Sequence, residues 1–194
     1  PKRLQREFTL PTIVVNSTIY ENDPVFYQEL SCVLAWAVRD HVSACELAKN
    51  GIDSWFLPDL SLMSSEVPRQ HREGYGVTDS VLRDSERLLR KVAKANRIHF
   101  YPMVDTKNFV PRWRDLLMPH QLGKKIEKTL KNPGYLSDKR FENCDHFLRW
   151  LSGVKGVLTG RYHCVTSCLL TRTPFLSVSS NTPKIEHVIL DALG

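Results

Sequence analysis

The residues with the clearest chemical potential lie in one stretch, Gly156-Val157-Leu158-Thr159-Gly160-Arg161-Tyr162-His163-Cys164, followed by an apolar run to Leu170. It reads as a short buried strand that ends in a glycine turn, with Arg161 and His163 at the start of the next helix. A guanidinium there is a cation for holding anions, and an imidazole titrates near neutral pH. Both stand at the carboxyl end of a strand, where open α/β sheets keep their ligands. A structural reading of the same residues is a packed turn with a helix-start histidine.

The elements that must position this turn follow from the pattern of the rest of the chain. Thr12 to Asn16 is a β-branched run suited to a buried strand. Asn22-Asp23-Pro24 supplies a cap and a helix-compatible proline for a short helix, Phe26 to Leu30. Cys32 to Val38 is again an apolar strand. Asp40 then caps a helix from His41 to Asn50 that Gly51 stops, and Ser54 to Leu57 is a short strand running into Pro58-Asp59. Strand, helix and strand at this spacing predict βαβ units.

The polar stretch Ser61 to Gly74 reads as a linker between two α/β halves, 1–64 and 65–194. Beyond it, Gly76 to Ser80 is a strand, with Asp79 or Ser80 capping a helix Val81 to Ala95, and Ile98 to Tyr101 is the next strand. Asp105 to Pro119 lacks periodicity and reads as a loop. Gln121 to Lys131 places Leu122, Ile126 and Leu130 on one face, with Lys124, Lys125, Lys128 and Lys131 elsewhere. This basic amphipathic helix is a solvated cover or a contact for an anionic membrane surface. Ser137 or Asp138 caps a helix Lys139 to Leu151, whose Phe141, Cys144, Leu148 and Leu151 share a face. After the central turn come a strand, Phe175 to Val178, and a last helix opened by Pro183. That helix carries an apolar stripe at Ile185, Val188, Ile189, Ala192 and Leu193.

Composition narrows the class. The chain has 194 residues, 42% hydrophobic and 25% charged, which is enough for one sizeable core or two small domains and argues against disorder. No apolar run has the length of a membrane-spanning helix, and no signal peptide is visible. The five cysteines, Cys32, Cys45, Cys144, Cys164 and Cys168, are an odd set without paired C-x-x-C spacing, so they read as small core residues of a cytoplasmic protein, with no metal site. The net charge of +6 is concentrated between Glu66 and Arg140, where 17 Lys and Arg face 9 Asp and Glu. Aromatics are not interleaved with these cations, which argues against nucleic acid as the partner. The oligomeric state is not legible.

The string TGRYHCVTSCLLTRTPFLSVSSNTPKIEHVILDALG, Thr159 to Gly194, resembles the C-terminal region of the polysaccharide pyruvyl transferase family. That region has a Gly-Arg-x-His turn, a small-residue helix, a Thr-Pro-started strand, a Ser-Asn turn and a lysine in the last helix. Upstream, VRDHVSACELAKNGIDSWFLPDLSL, Val38 to Leu62, is similar to that family's Arg-Asp-x-x-Ser helix and Pro-Asp strand end. The resemblance is weak through Glu66 to Asn132. It implies an α/β, Rossmann-like, GT-B-like architecture with parallel sheets flanked by helices. It also implies transfer of pyruvate from phosphoenolpyruvate to a pair of sugar hydroxyls of a glycan, forming a ketal, with no cofactor. The family's opening glycine-rich loop is not found here, since the first glycine is Gly51. The N-terminal half therefore reads as incomplete, and the chain, which starts at Pro1, as a fragment, processed product or reduced homologue.

The same resemblance implies the site. Arg161 and Arg39 are carried over as ligands of the donor's anions; His163 is the candidate general acid for that chemistry, because imidazole titrates near neutral pH. Ser179, Ser180 and Asn181, with Lys184 and the N–H groups opening the last helix, are candidates for a further anion site on the helix dipole. Structural alternatives remain for each. Arg39 can pair with Asp40 or Glu46, Ser179 to Thr182 can simply cap a helix, Lys184 can be solvated, and Asp59 can initiate a turn. His41, His71, His99 and His120 receive no role. A nucleotide-sugar glycosyltransferase, or a non-catalytic binding module on the same fold, is the competing functional expectation.

Overall fold

A computed structural model describes residues 11–30, 32–63, 67, 70–103 and 141–194. The loop expected at 105–119, the basic helix at 121–131, His120, and the caps Ser137 and Asp138 lie outside the described residues.

Two parallel sheets carry the described chain. The first has the order β1-β2-β3, with β1 Ile13–Ser17, β2 Ala35–Val38 and β3 Trp55–Phe56. Helix α1 (Pro24–Leu30) joins β1 to β2, and α2 (His41–Lys49) joins β2 to β3. The second has the order β5-β4-β6-β7, with β4 Tyr75–Ser80, β5 Phe100–Tyr101, β6 Gly156–Gly160 and β7 Phe175–Ser177. Its helices are α3 (Arg83–Ala95), α4 (Cys144–Ser152), α5 (Tyr162–Thr171) and, after β7, α6 (Lys184–Leu193). All five strand pairings are parallel, as the expected α/β class requires.

Side-chain alternation decides which helix covers which face. On β6, Val157 points into a core with Phe147, Leu148 and Leu151 of α4 and Cys164 and Cys168 of α5. Its neighbour Leu158 points to the other face, against Val77, Phe100 and Leu89 and Ala93 of α3. In the first sheet Val14, Trp36 and Val38 meet Tyr27, Leu30 and Leu47 of α1 and α2. Leu47, Leu89 and Leu151 are fully buried, and each contributes about 2–3 kcal/mol of transfer free energy.

Strand order in the second sheet reverses beside β4, since β5 is added on one side of it and β6 on the other, all of them parallel. That is the switch point at which crevices open beyond the strand ends. Asp79-Ser80 ends β4 and Gly160-Arg161 ends β6, so both pairs line that crevice.

Several local expectations are corrected. Asp40 does cap α2, accepting Ser43 N at 2.8 Å, and Gly51 sits just beyond at φ 70°. Neither Asp79 nor Ser80 caps α3, which begins after Leu82 without a side-chain cap; Ser80 Oγ takes Leu82 N at 3.2 Å, and Asp79 is occupied elsewhere. Helix α4 starts at Cys144 with Asn143 as its cap, and that register buries Phe147 while exposing Cys144. Cys45 is also exposed, so only Cys164 and Cys168 are buried core cysteines; all five are free thiols. On α6, Ala192 and Leu193 are exposed, and His187 takes an interior position instead. Leu60–Met63 forms a 3₁₀ turn, and Ser61 Oγ donates to Thr166 Oγ1 of α5 at 3.0 Å. Among the described residues no helix is long and apolar enough to cross a membrane.

Candidate anion-binding site

Arg161 reaches the switch-point crevice because β6 packs tightly between its neighbours. A Cβ on Gly160 would stand 2.5 Å from Ser80 Cβ and Oγ and 2.9 Å from Val178 Cγ2, so only glycine permits this approach. The backbone stays extended at Arg161 and turns into α5, with Arg161 N donating to Thr159 Oγ1 at 3.1 Å. The guanidinium then lies against Asp79. Its Nε donates to Oδ2 at 2.9 Å and Nη2 to the same oxygen, while Asp79 Oδ1 accepts Met103 N at 2.8 Å.

Arg39, just beyond β2, comes from the other sheet. Its Nε donates to Thr18 Oγ1 at 2.7 Å and its Nη1 to Asp59 Oδ2 at 3.1 Å. The guanidinium carbon lies 4.3 Å from the centroid of the Tyr162 ring, within cation–π range. The Tyr162 hydroxyl donates to the same Asp59 Oδ2 at 2.9 Å. Arg39 is therefore paired, but with neither of the acids expected from sequence. Asp40 is committed to capping α2, and Glu46 accepts the Tyr27 hydroxyl at 2.9 Å.

Burial alone would push the Asp59 carboxyl up. Hydrogen bonds from Ser61 and Tyr162 and the charge of Arg39 outweigh it and hold Asp59 below its ordinary value, as a carboxylate. Burial pushes the Tyr162 phenol up, against Arg39 and together with Asp59, so Tyr162 stays a proton-bearing donor.

Lys184, the first residue of α6, brings a third cation, with Nζ 5.9 Å from the Tyr162 centroid. Burial, then Arg39 and Arg161, lower its pKa. Arg39 and Lys184 thus lie against one ring, Arg161 precedes that tyrosine in the chain, and two carboxylates, Asp59 and Asp79, pair with the two arginines. The Lys184 ammonium and the guanidinium N–H groups not engaged by those acids suit an anionic ligand. Helices α5 and α6 both open without a side-chain cap, which leaves their first N–H groups for an anion or water.

The remaining expected residues are less closely tied. His163 is the second residue of α5, exposed, with its ring 5.3 Å from that of Tyr162 and edge-to-face. Ser179 and Asn181 are exposed on the turn between β7 and α6, and Ser180 Oγ donates to Asn181 Oδ1 at 3.2 Å. They do not cap α6, so capping does not explain them. No hydrogen bond among the described residues joins this turn to Arg39, Arg161 or Lys184.

Sequence reasoning missed Asp59, Asp79, Tyr162 and Thr18 as parts of this cluster. Asp59 and Asp79 each follow or end a strand on the same carboxyl edge as an arginine, a signal that two acids face two cations across a crevice. Tyr162 lies inside the singled-out turn itself. A groove of about 680 Å³, lined by Tyr27, Leu30, Leu34, Trp36 and Ile52, lies at the start of β2, the opposite end from Arg39, and takes no part in this chemistry. Among the described residues no group of three or more His, Cys, Asp and Glu side chains has metal-holding geometry.

A family model described as polysaccharide pyruvyl transferase matches residues 2–182. The match includes Arg39, Arg161, His163, Ser179, Ser180 and Asn181, while Lys184 follows it. No curated protein and no solved structure matches the chain.

Proposed function

Because the chain belongs to the polysaccharide pyruvyl transferase family, we propose that it moves a pyruvyl group from phosphoenolpyruvate to two hydroxyls of a glycan acceptor, forming a ketal. The observation that supports this reading is the gathering of Arg39 and Lys184 against the Tyr162 ring, with Arg161 next to that tyrosine in the chain and paired to Asp79, at the carboxyl ends of two parallel sheets, an arrangement we read as GT-B-like. The donor carries a carboxylate and a phosphate on one carbon, and two arginines from opposite sheets can grip one anion each.

The chemistry balances as follows. One acceptor hydroxyl adds to the central carbon of the donor while the methylene carbon takes a proton and becomes a methyl group. The second hydroxyl then forms its bond to the same carbon, the carbon–oxygen bond to phosphate breaks, and phosphate leaves with the remaining proton. His163 is the proposed acid for the methylene, as an accessible imidazole next to Tyr162. The arginines hold the charge that collects on the departing phosphate. Ser179, Ser180 and Asn181 are proposed to line the same crevice. We place the reaction in the cytoplasm, where free thiols persist.

The test is thermal unfolding with phosphoenolpyruvate at millimolar concentration. A rise in melting temperature that is larger than with a nucleoside diphosphate is expected. A preference for the nucleoside diphosphate selects a nucleotide-sugar glycosyltransferase instead. If phosphoenolpyruvate binds, His163→Gln should keep the shift and lose turnover.

A further inference from the structure

We infer that α6 is a strut that fixes Arg39 in the anion site, with His187 and Asp191 as its positioning residues. This rests on the anion-site reading above. Lys184 opens α6 beside Tyr162. Further along, His187 and Asp191 are four residues apart and so share one face of the helix. That face meets the adjacent pair Asp40-His41 at the start of α2, in the other sheet's layer.

The contacts cross, each acid of one element meeting an imidazole of the other. Asp191 Oδ2 accepts His41 N at 3.0 Å, and its Oδ1 lies 2.9 Å from His41 Nδ1. The His41 ring is stacked on Phe56 of β3, with centroids 3.9 Å apart, which holds the imidazole in place for Asp191. His187 is buried, its ring set edge-on to Tyr20, and its Nδ1 lies 3.5 Å from Asp40 Oδ1. That approach is a contact rather than a hydrogen bond, since Nδ1 has no hydrogen-bonding partner.

From Asp40 a continuous polar path runs to the site. Thr18 Oγ1 donates to Asp40 Oδ2 at 3.2 Å and accepts Arg39 Nε at 2.7 Å. Asp40 and Asp191 also both sit at the N-terminus of α2, accepting Ser43 N and His41 N, where the helix dipole favours negative charge. One helix therefore supplies Lys184 to the cluster and, about 10 Å further along its axis, anchors the segment that carries Arg39. The relative placement of the two cations depends on that anchor.

An exposed His–Asp contact ordinarily does almost nothing, which makes the inference testable. The full chain is titrated calorimetrically with phosphoenolpyruvate and, separately, with inorganic phosphate. Asp191→Ala is expected to weaken both about five- to tenfold, the size of effect a lost cap produces, with the far-ultraviolet circular dichroism unchanged. Asp191→Asn keeps an acceptor for His41 N and should recover most of the loss. Binding of both probes by Asp191→Ala within twofold of the parent chain overturns the strut. If Asp191→Ala does not fold, His41→Ala removes the ring's contact with Asp191 Oδ1 while the backbone N–H keeps its bond to Oδ2; a weakening of both probes, smaller than that expected of Asp191→Ala, supports the strut and unchanged binding overturns it. A parent chain that binds phosphate but prefers a nucleoside diphosphate to phosphoenolpyruvate removes the pyruvyl-transfer reading, and the phosphate titration still decides the strut. A parent chain that binds none of these anions overturns both.

Discussion

The Tyr162 hydroxyl donates to Asp59 Oδ2 at 2.9 Å, and Arg39, lying over the Tyr162 ring, donates to that same oxygen at 3.1 Å. A tyrosine from the second sheet's layer and an arginine from the first are thereby held by one buried carboxylate. The contact joins the two layers at the place where the cations gather.

Removing parts of this contact should separate its roles. Tyr162→Phe keeps the ring under Arg39 and leaves Asp59 its bonds to Ser61 and Arg39, so about 1 kcal/mol of stability is lost. Asp59→Ala strands a mostly buried guanidinium, 15% exposed, and should cost about 3 kcal/mol. Urea unfolding of the two variants measures the difference, and equal losses would mean that Asp59 does not hold Arg39 in solution.

Arg161→Ala should abolish stabilisation by phosphoenolpyruvate, but it also leaves Asp79, 5% exposed, without its cation. The single variant should therefore lose about 2 kcal/mol of intrinsic stability. In Arg161→Ala with Asp79→Asn the buried charge is gone while an acceptor for Met103 N remains. That double variant should regain most of the stability and none of the ligand response. Recovery of the ligand response would show that Arg161 does not contact the anion.

Lys184 sets a pH dependence. Its pKa in the folded chain is lowered by burial and by Arg39 and Arg161, so the folded chain releases this proton at a lower pH than the unfolded chain does. Between the two values the unfolded chain binds more protons, and this group's effect on stability is a gain as pH rises. Anion affinity moves the other way, falling over the same alkaline range as the ammonium is lost. Lys184→Arg stays charged there, so an affinity profile measured by calorimetry should lose its alkaline decline. A decline of the same size in Lys184→Arg would place its origin elsewhere.

Gly160→Ala should cost about 2–3 kcal/mol, because the new Cβ meets Ser80 and Val178 at the strand ends. It should also displace Arg161 and weaken anion binding. A melting temperature and ligand response equal to those of the parent chain would show that the sheet opens to admit the methyl group.

Much of the fold was legible because its signals are local. The β-branched runs, Asp40 as a cap, Gly51 as a stop and the glycine turn before Arg161 depend on residues a few positions apart. The corrections arose where distant groups competed for a side chain. Asp79 has the composition of a helix cap, but Arg161 and Met103 N, which come from other elements, claim its oxygens. Cys144 fits the apolar stripe of a longer helix, but the start at Asn143 turns it outward.

The site divides along the same line. Sequence by itself determined that Arg39 and Arg161 would each follow a strand, that the last helix would begin beside Pro183 and Lys184, and that the chain would resemble one family of transferases. Those properties reside in short motifs with fixed spacing. Only the tertiary structure decided that Arg39 and Lys184 share one tyrosine ring, that the counterions of the two arginines are Asp59 and Asp79, and that α6 reaches the start of α2. Ion pairs form between whichever groups the packing of sheets and helices brings within a few ångströms, and partners such as Asp59 and Tyr162, 103 positions apart, carry no mark of each other in the sequence.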